Sequence, residues 1–151
     1  MMVDPRAKGA RAETLIRDKL RELTELNWER VPSSGALDPK HGLKGDLYIP
    51  NEKNLYCVEC KHYAEDQLTS TVLTAKNPNL ITWWDQAVRQ GLQVSKKPLL
   101  IFKHDRSKIF AAFDSKLRNN YTCFKLDIPA LPSVYIAMLE DWYIHEEPKF
   151  I

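Results

Sequence analysis

A short hairpin limits what this chain can become. Gly45-Asp46-Leu47-Tyr48-Ile49-Pro50 and Leu55-Tyr56-Cys57-Val58-Glu59-Cys60-Lys61 read as strands separated by the polar stretch Asn51-Glu52-Lys53-Asn54. If that stretch is a four-residue loop, Pro50 pairs with Leu55, Tyr48 with Cys57 and Asp46 with Glu59. Paired residues share a face roughly 5 Å apart, and Lys61, two residues on, shares it too. A slip of one residue would send the two acids to opposite faces. Such charges are common on the open face of an antiparallel sheet. Here Val58 and Cys60 form an apolar opposite face, and Leu55 and Cys57 are apolar on the side of Glu59. The charges then stand at the end of a strand buried on both faces, which suits a cleft. Two carboxylates and an ammonium in a cleft can hold a divalent metal against a phosphodiester. Asp46 and Glu59 would be ligands, with the Cys60 carbonyl as a further one. Lys61 would orient water or neutralise charge in the transition state.

The remaining composition narrows the class. A chain of 151 residues with 44% apolar content can build one ordinary core. Its net charge of +2 is too small to argue for nucleic acid by itself, so local placement of charge must carry that case. Three cysteines, Cys57, Cys60 and Cys123, do not make a secreted disulfide framework. No apolar run is long enough to span a membrane, and the charged N-terminus lacks a signal-peptide core. The expected location is the cytoplasm.

Apolar Ala12, Leu15, Ile16, Leu20, Leu23 and Leu26 recur at helical spacing and predict a helix over 6–27, basic at its start. Residues 28–32 read as an extended piece and 33–42 as a loop. After the hairpin, 64–79 reads as a mobile excursion and 81–93 as a helix carrying Trp83, Trp84, Ala87 and Val88. Pro98 to Lys103 is a buried-strand run, and 108–113 is another strand. Residues 114–120 predict a short helix or turn, 121–126 an edge strand, and 133–144 a last helix around Tyr135, Met138, Leu139 and Trp142. The order indicates one mixed α/β domain over 1–151.

Other residues admit both a bland and a functional reading. Glu13 borders the apolar stripe of the first helix. It is either a helix-dipole partner or a third acid near the metal, with Arg11 and Lys8 meeting phosphates. Ser33-Ser34-Gly35 is an ordinary turn, or it brings the Ser34 hydroxyl to the site. Cys57 and Cys60 have C-x-x-C spacing, but no second ligand pair for zinc is visible, and strand residues three apart face opposite ways. His62 is incidental or a DNA contact. Trp83-Trp84-Asp85-Gln86 packs the core, with Gln86 free to reach a phosphate or a water.

Taken in order, Lys8-Gly9-Ala10-Arg11-Ala12-Glu13, Pro32-Ser33-Ser34-Gly35, Gly45-Asp46 and Glu59-Cys60-Lys61 resemble the PD-(D/E)XK nuclease superfamily. More narrowly, they are similar to archaeal Holliday-junction resolvases and viral relatives, with their K-G-x-x-x-E helix, S-G loop, aspartate strand and E-x-K strand. The resemblance covers about the first 62 residues. It implies a restriction-endonuclease-like core, a central mixed β-sheet flanked by helices. It makes Glu13, Asp46 and Glu59 the metal-site acids, Lys61 the catalytic lysine and Ser34 the loop serine. Lys8, Arg11, Arg17, Lys44, His62 and Gln86 become DNA contacts. The implied cofactor is Mg2+, with Mn2+ able to substitute, and the implied partner is branched DNA cut by a homodimer. A restriction-like, repair, or end- or flap-directed nuclease, or a DNA-binding domain without activity, are the alternatives on the same core. Gly45 stands where relatives carry proline, a change expected to cost little. Thr14 stands where some carry arginine, leaving Arg11 or Arg17 to replace a phosphate contact.

Overall fold

The computed structural model describes residues 5–32, 44–114 and 117–151, the side chains of 5–8 excepted. Helix α1 spans Pro5–Thr24. Ala12, Ile16 and Leu20 are buried at four-residue spacing and fix its inner stripe. It stops three residues short of the expected end because Glu25 takes a left-handed φ of 59°. The Thr24 hydroxyl then accepts from Leu26 N at 3.2 Å and Trp28 Nε1 at 3.0 Å, tying the turn together.

Strands β1 (Glu29–Arg30), β2 (Leu47–Tyr48) and β3 (Tyr56–Tyr63) follow, then the short helix α2 (Thr71–Thr74) and helix α3 (Asn79–Gln93). Strands β4 (Lys97–His104), β5 (Phe110–Phe113), β6 (Phe124–Leu126) and β7 (Val134–Met138) lead to helix α4 (Leu139–Glu146). They form one seven-stranded mixed sheet in the order β1-β2-β3-β4-β5-β7-β6. The pairing of β3 with β4 is parallel, closed over by α3 as a crossover; the other pairs are antiparallel. Helix α3 is packed tightly at its end, because a Cβ at Gly91 would meet the Lys96 carbonyl oxygen at 2.7 Å.

Alternation along the strands divides the core in two. Leu47, Val58, Cys60, Leu99 and Ile101 pack with Ile16 and Leu20 of α1 and with Leu139 and Trp142 of α4. Leu100, Phe102, Ala112 and Ile136 pack on the other face with Leu80, Trp83 and Trp84 of α3.

Two expectations are corrected. The last helix is not 133–144: Val134-Tyr135-Ile136-Ala137-Met138 is strand β7, inserted between β5 and β6, and only α4 is helical. This stretch satisfies a period of 3.6 and a period of 2 together. Burial of Val134 and Ile136 on the α3 face decides for the strand. Residues 64–79 are not wholly an excursion: they contain α2, and Leu68 and Val72 pack against the α3-face core. Between 117 and 120 the chain bends, the turn alternative of the expected helix or turn, and the buried Glu146 carboxylate accepts from Arg118 N at 3.1 Å. Among the described residues no helix is long and apolar enough to cross a membrane.

Candidate active site

Leu47 pairs with Val58, the register in which Asp46 faces Glu59 and Tyr48 faces Cys57. The loop that sets this register is closed by Asn54. Its side chain accepts from Ile49 N at 2.7 Å and donates to Ile49 O at 2.9 Å. Leu47, Val58 and Cys60 turn toward α1, so Asp46, Glu59 and Lys61 lie on the α3 face, near the β2 side of the sheet. Asp46 brackets Glu59: its backbone N donates to Val58 O at 2.7 Å, and its carboxylate Oδ2 accepts from Cys60 N at 2.7 Å. Glu59 is only 3% exposed, and it stands in the middle of β3 rather than at its end.

Gly45 makes the bracket possible. Its φ is +85°, and a Cβ there would lie 2.5 Å from the Val58 carbonyl oxygen. Glycine takes this backbone without strain, whereas proline, which fixes φ near −65°, would not fit it.

The electrostatics follow from burial. Desolvation is the largest cause raising the Glu59 carboxyl, and the neighbouring Asp46 charge adds to it; Lys61 acts the other way. Asp46 is also raised, first by burial and then by the Glu13 charge, against the hydrogen bond from Cys60. The two carboxyls are close enough to influence each other, so the pair holds a proton above the ordinary carboxylate range. Burial likewise pushes the Cys57 thiol up to about 12 and raises Cys60, which leaves both as neutral thiols unsuited to zinc.

Glu13 lies in the third turn of α1, so the helix-dipole reading falls away. Its carboxylate accepts from Arg30 Nε at 2.9 Å, and its charge reaches both members of the pair. The Lys44 and Lys96 charges both favour the charged form of Cys57, so their positive field reaches this end of β3. Arg30 and Lys96 were not anticipated; only the fold brings β1 and the α3–β4 turn to this edge.

Other expected contacts lie elsewhere. Arg17 is held by the Asp18 carboxylate at 3.1 Å, and Arg11 is exposed on the outer face of α1 beside Leu15 and Asp18. Neither is drawn to the acidic pair, and the Thr14 hydroxyl bonds back to Ala10 O. His62 points to the face opposite Lys61 by strand alternation, and its Nε2 bonds the Asp105 carboxylate at 2.8 Å. Ser34 and the Lys8 side chain lie outside the described residues.

Helix α3 covers the face carrying Glu59. Trp83 packs on Tyr63, with ring centroids 4.9 Å apart. Gln86 and Gln90 follow Trp83 about one and two turns further along the same helix. Gln86 is half-buried. The Gln90 side-chain oxygen is buried with no hydrogen-bond partner among the described residues. Sequence reasoning missed Gln90, although its spacing from Trp83 and Gln86 on one helix flank was a usable signal.

Among the described residues no three Asp, Glu, His or Cys side chains are close enough to cage a metal. Magnesium needs no such cage, taking one or two carboxylates and completing its shell with water and phosphate oxygens. The Asp46 and Glu59 carboxyls fit that requirement once they give up the proton that burial favours.

A family model described as "Phage putative PDDEXK endonuclease" matches residues 4–138. Protein D14 of Escherichia phage T5 is 40% identical over 156 residues, covering 96% of this chain and 95% of its own. No solved structure matches. The sheet, its flanking helices and the acid, acid, E-x-K set agree with that match: the chain belongs to the phage PD-(D/E)XK endonuclease family and has its restriction-endonuclease-like α/β fold.

Proposed function

We infer that this protein is a magnesium-dependent endodeoxyribonuclease acting on branched DNA, most closely a Holliday-junction resolvase. The observation that carries the chemistry is the buried Asp46–Glu59 pair, held by the Cys60 N–H to Asp46 hydrogen bond, with Lys61 on the same face. Support for the branched substrate comes from the ordered K-G-x-x-x-E, S-G, G-D and E-x-K motifs.

Asp46 and Glu59 would hold the ion, and Glu13 would act through water. Bound there, Mg2+ would supply Lewis-acid charge and a water of lowered pKa. Cys60 N fixes one Asp46 oxygen and so aims the other. Lys61 brings an ammonium to the same face, where negative charge builds on the phosphate. Arg30 restrains Glu13, and Lys44 with Lys96 makes the β2 edge attractive to a phosphate backbone.

Purified protein is mixed with labelled four-way junctions and with linear duplex, with Mg2+, with Mn2+ or with EDTA. Paired cuts in the junction that need metal and vanish in Glu59→Gln are expected. No metal-dependent cleavage of any DNA by folded protein would overturn the nuclease reading. Equal cleavage of linear duplex would overturn the junction preference and favour a restriction-like enzyme.

A further inference from the structure

We propose that the β6 edge is a self-association surface, on which a second copy of this chain pairs antiparallel about a two-fold axis at Leu126. Strand β6 ends the sheet, and no described strand pairs beyond it. Its side chains divide cleanly. Phe124 and Leu126 line an apolar cavity of about 290 Å3 with Leu68, Val72 and Leu73. Lys125 and Asp127, two residues apart and with side chains 52% and 74% exposed, pair loosely with each other at 4.0 Å, and the Ser133 hydroxyl donates to Asp127.

Symmetry then selects a register. A two-fold axis perpendicular to a sheet keeps each side chain on its own face, and residues paired across the junction must share a face. The axis therefore passes through a residue position. At Lys125 it would oppose two ammonium groups, and at Asp127 two carboxylates. At Phe124 it would leave both charges facing neutral residues. At Leu126 it sets Lys125 against Asp127 of the second copy twice, and Phe124 against Ile128 twice.

A lysine on an edge strand ordinarily discourages such pairing; here Asp127 gives it a partner in the mating strand. The adjoining apolar surface gives the contact breadth beyond a three-residue strand. Leu73 is 82% exposed and Phe124 59% exposed on the side of the cavity. Because the axis preserves faces, both copies would present Asp46 and Glu59 to the same side. The inference rests on the edge geometry and does not depend on the nuclease reading.

The test is sedimentation of the full chain at low salt. The wild type is expected to be a dimer. Lys125→Asp and Asp127→Lys should each weaken self-association at least about tenfold, since each turns two attractive pairs into two repulsive ones. Mixed in equal amounts, the two variants should recover a heterodimer, because each mixed contact restores a carboxylate facing an ammonium. Lys125→Glu and Asp127→Arg serve as a second pair if either swap fails to fold by circular dichroism. A monomeric wild type, a dimer indifferent to both single changes, or a mixture that stays monomeric would each overturn the proposal.

Discussion

The two faces of the sheet are closed in different ways. On the α1 and α4 side, Trp28, Tyr56 and Trp142 converge on Phe150, with ring centroids 5.1 Å apart for Trp28 and 5.8 Å for Trp142, and Phe113 packs on Trp142. The C-terminal tail is tied in where Leu55 N donates to Phe150 O at 2.8 Å. On the other side one helix, α3, packs over β4 and its neighbours, and the acidic pair sits beside it near the β2 side of the sheet. The first face spends its area on aromatic packing and stabilises the fold. The second gives up apolar contact to keep two carboxyls and an amide oxygen out of water.

The sharpest way to break this contrast is at the aromatic face. Trp142→Ala should cost about 3–5 kcal/mol in urea denaturation, and a loss below about 1 kcal/mol would deny that face its structural role. Glu59→Gln should do the reverse. It is expected to lower metal-dependent cleavage by about 10²–10³-fold while leaving the thermal midpoint without added metal unchanged or raised, because the neutral amide resembles the protonated carboxyl. Loss of folding together with activity would make Glu59 structural.

A smaller effect separates the faces by pH. Glu59 and Asp46 have raised values in the folded chain, so the native state holds more protons than the unfolded state just above the ordinary carboxylate range. Stability without metal must then fall as pH rises from about 5 toward 8, and Glu59→Gln should flatten the slope. Metal affinity should rise over the same interval as the pair loses its proton. A stability that climbs with pH in EDTA would contradict the shared proton. The smallest expected effect is at Gln90. Removing its unpartnered amide with Gln90→Leu should stabilise the metal-free protein by about 1 kcal/mol and slow cleavage. Unchanged cleavage would exclude Gln90 from the site.

Much of the site was legible because parity is unforgiving. A four-residue loop and alternating burial leave one register that puts Asp46 against Glu59, and E-x-K then follows on one face. The first helix and the buried β4 run were legible for the same reason, with a single period fitting each. Strand β7 was not, since Tyr135, Met138, Leu139 and Trp142 also make a helical stripe, and only neighbours distant in sequence decide between the two. Arg30, Lys96 and Gln90 depended wholly on tertiary placement. His62, next to Lys61 in sequence, falls on the opposite face, because adjacency in a strand means opposite faces.

Gly45 also bears on how such a site can change over time. The motif that names this superfamily begins with proline, yet here the residue before the aspartate has φ +85° and lies against the Val58 carbonyl. Moving between a P-D and a G-D motif is therefore not a one-residue step. A proline placed at this position would have to carry the backbone with it, uncoupling Asp46 N from Val58 O. In this chain the aspartate is presented by a backbone that only glycine takes freely, so its carboxylate depends on the residue before it as much as on the strand that carries it.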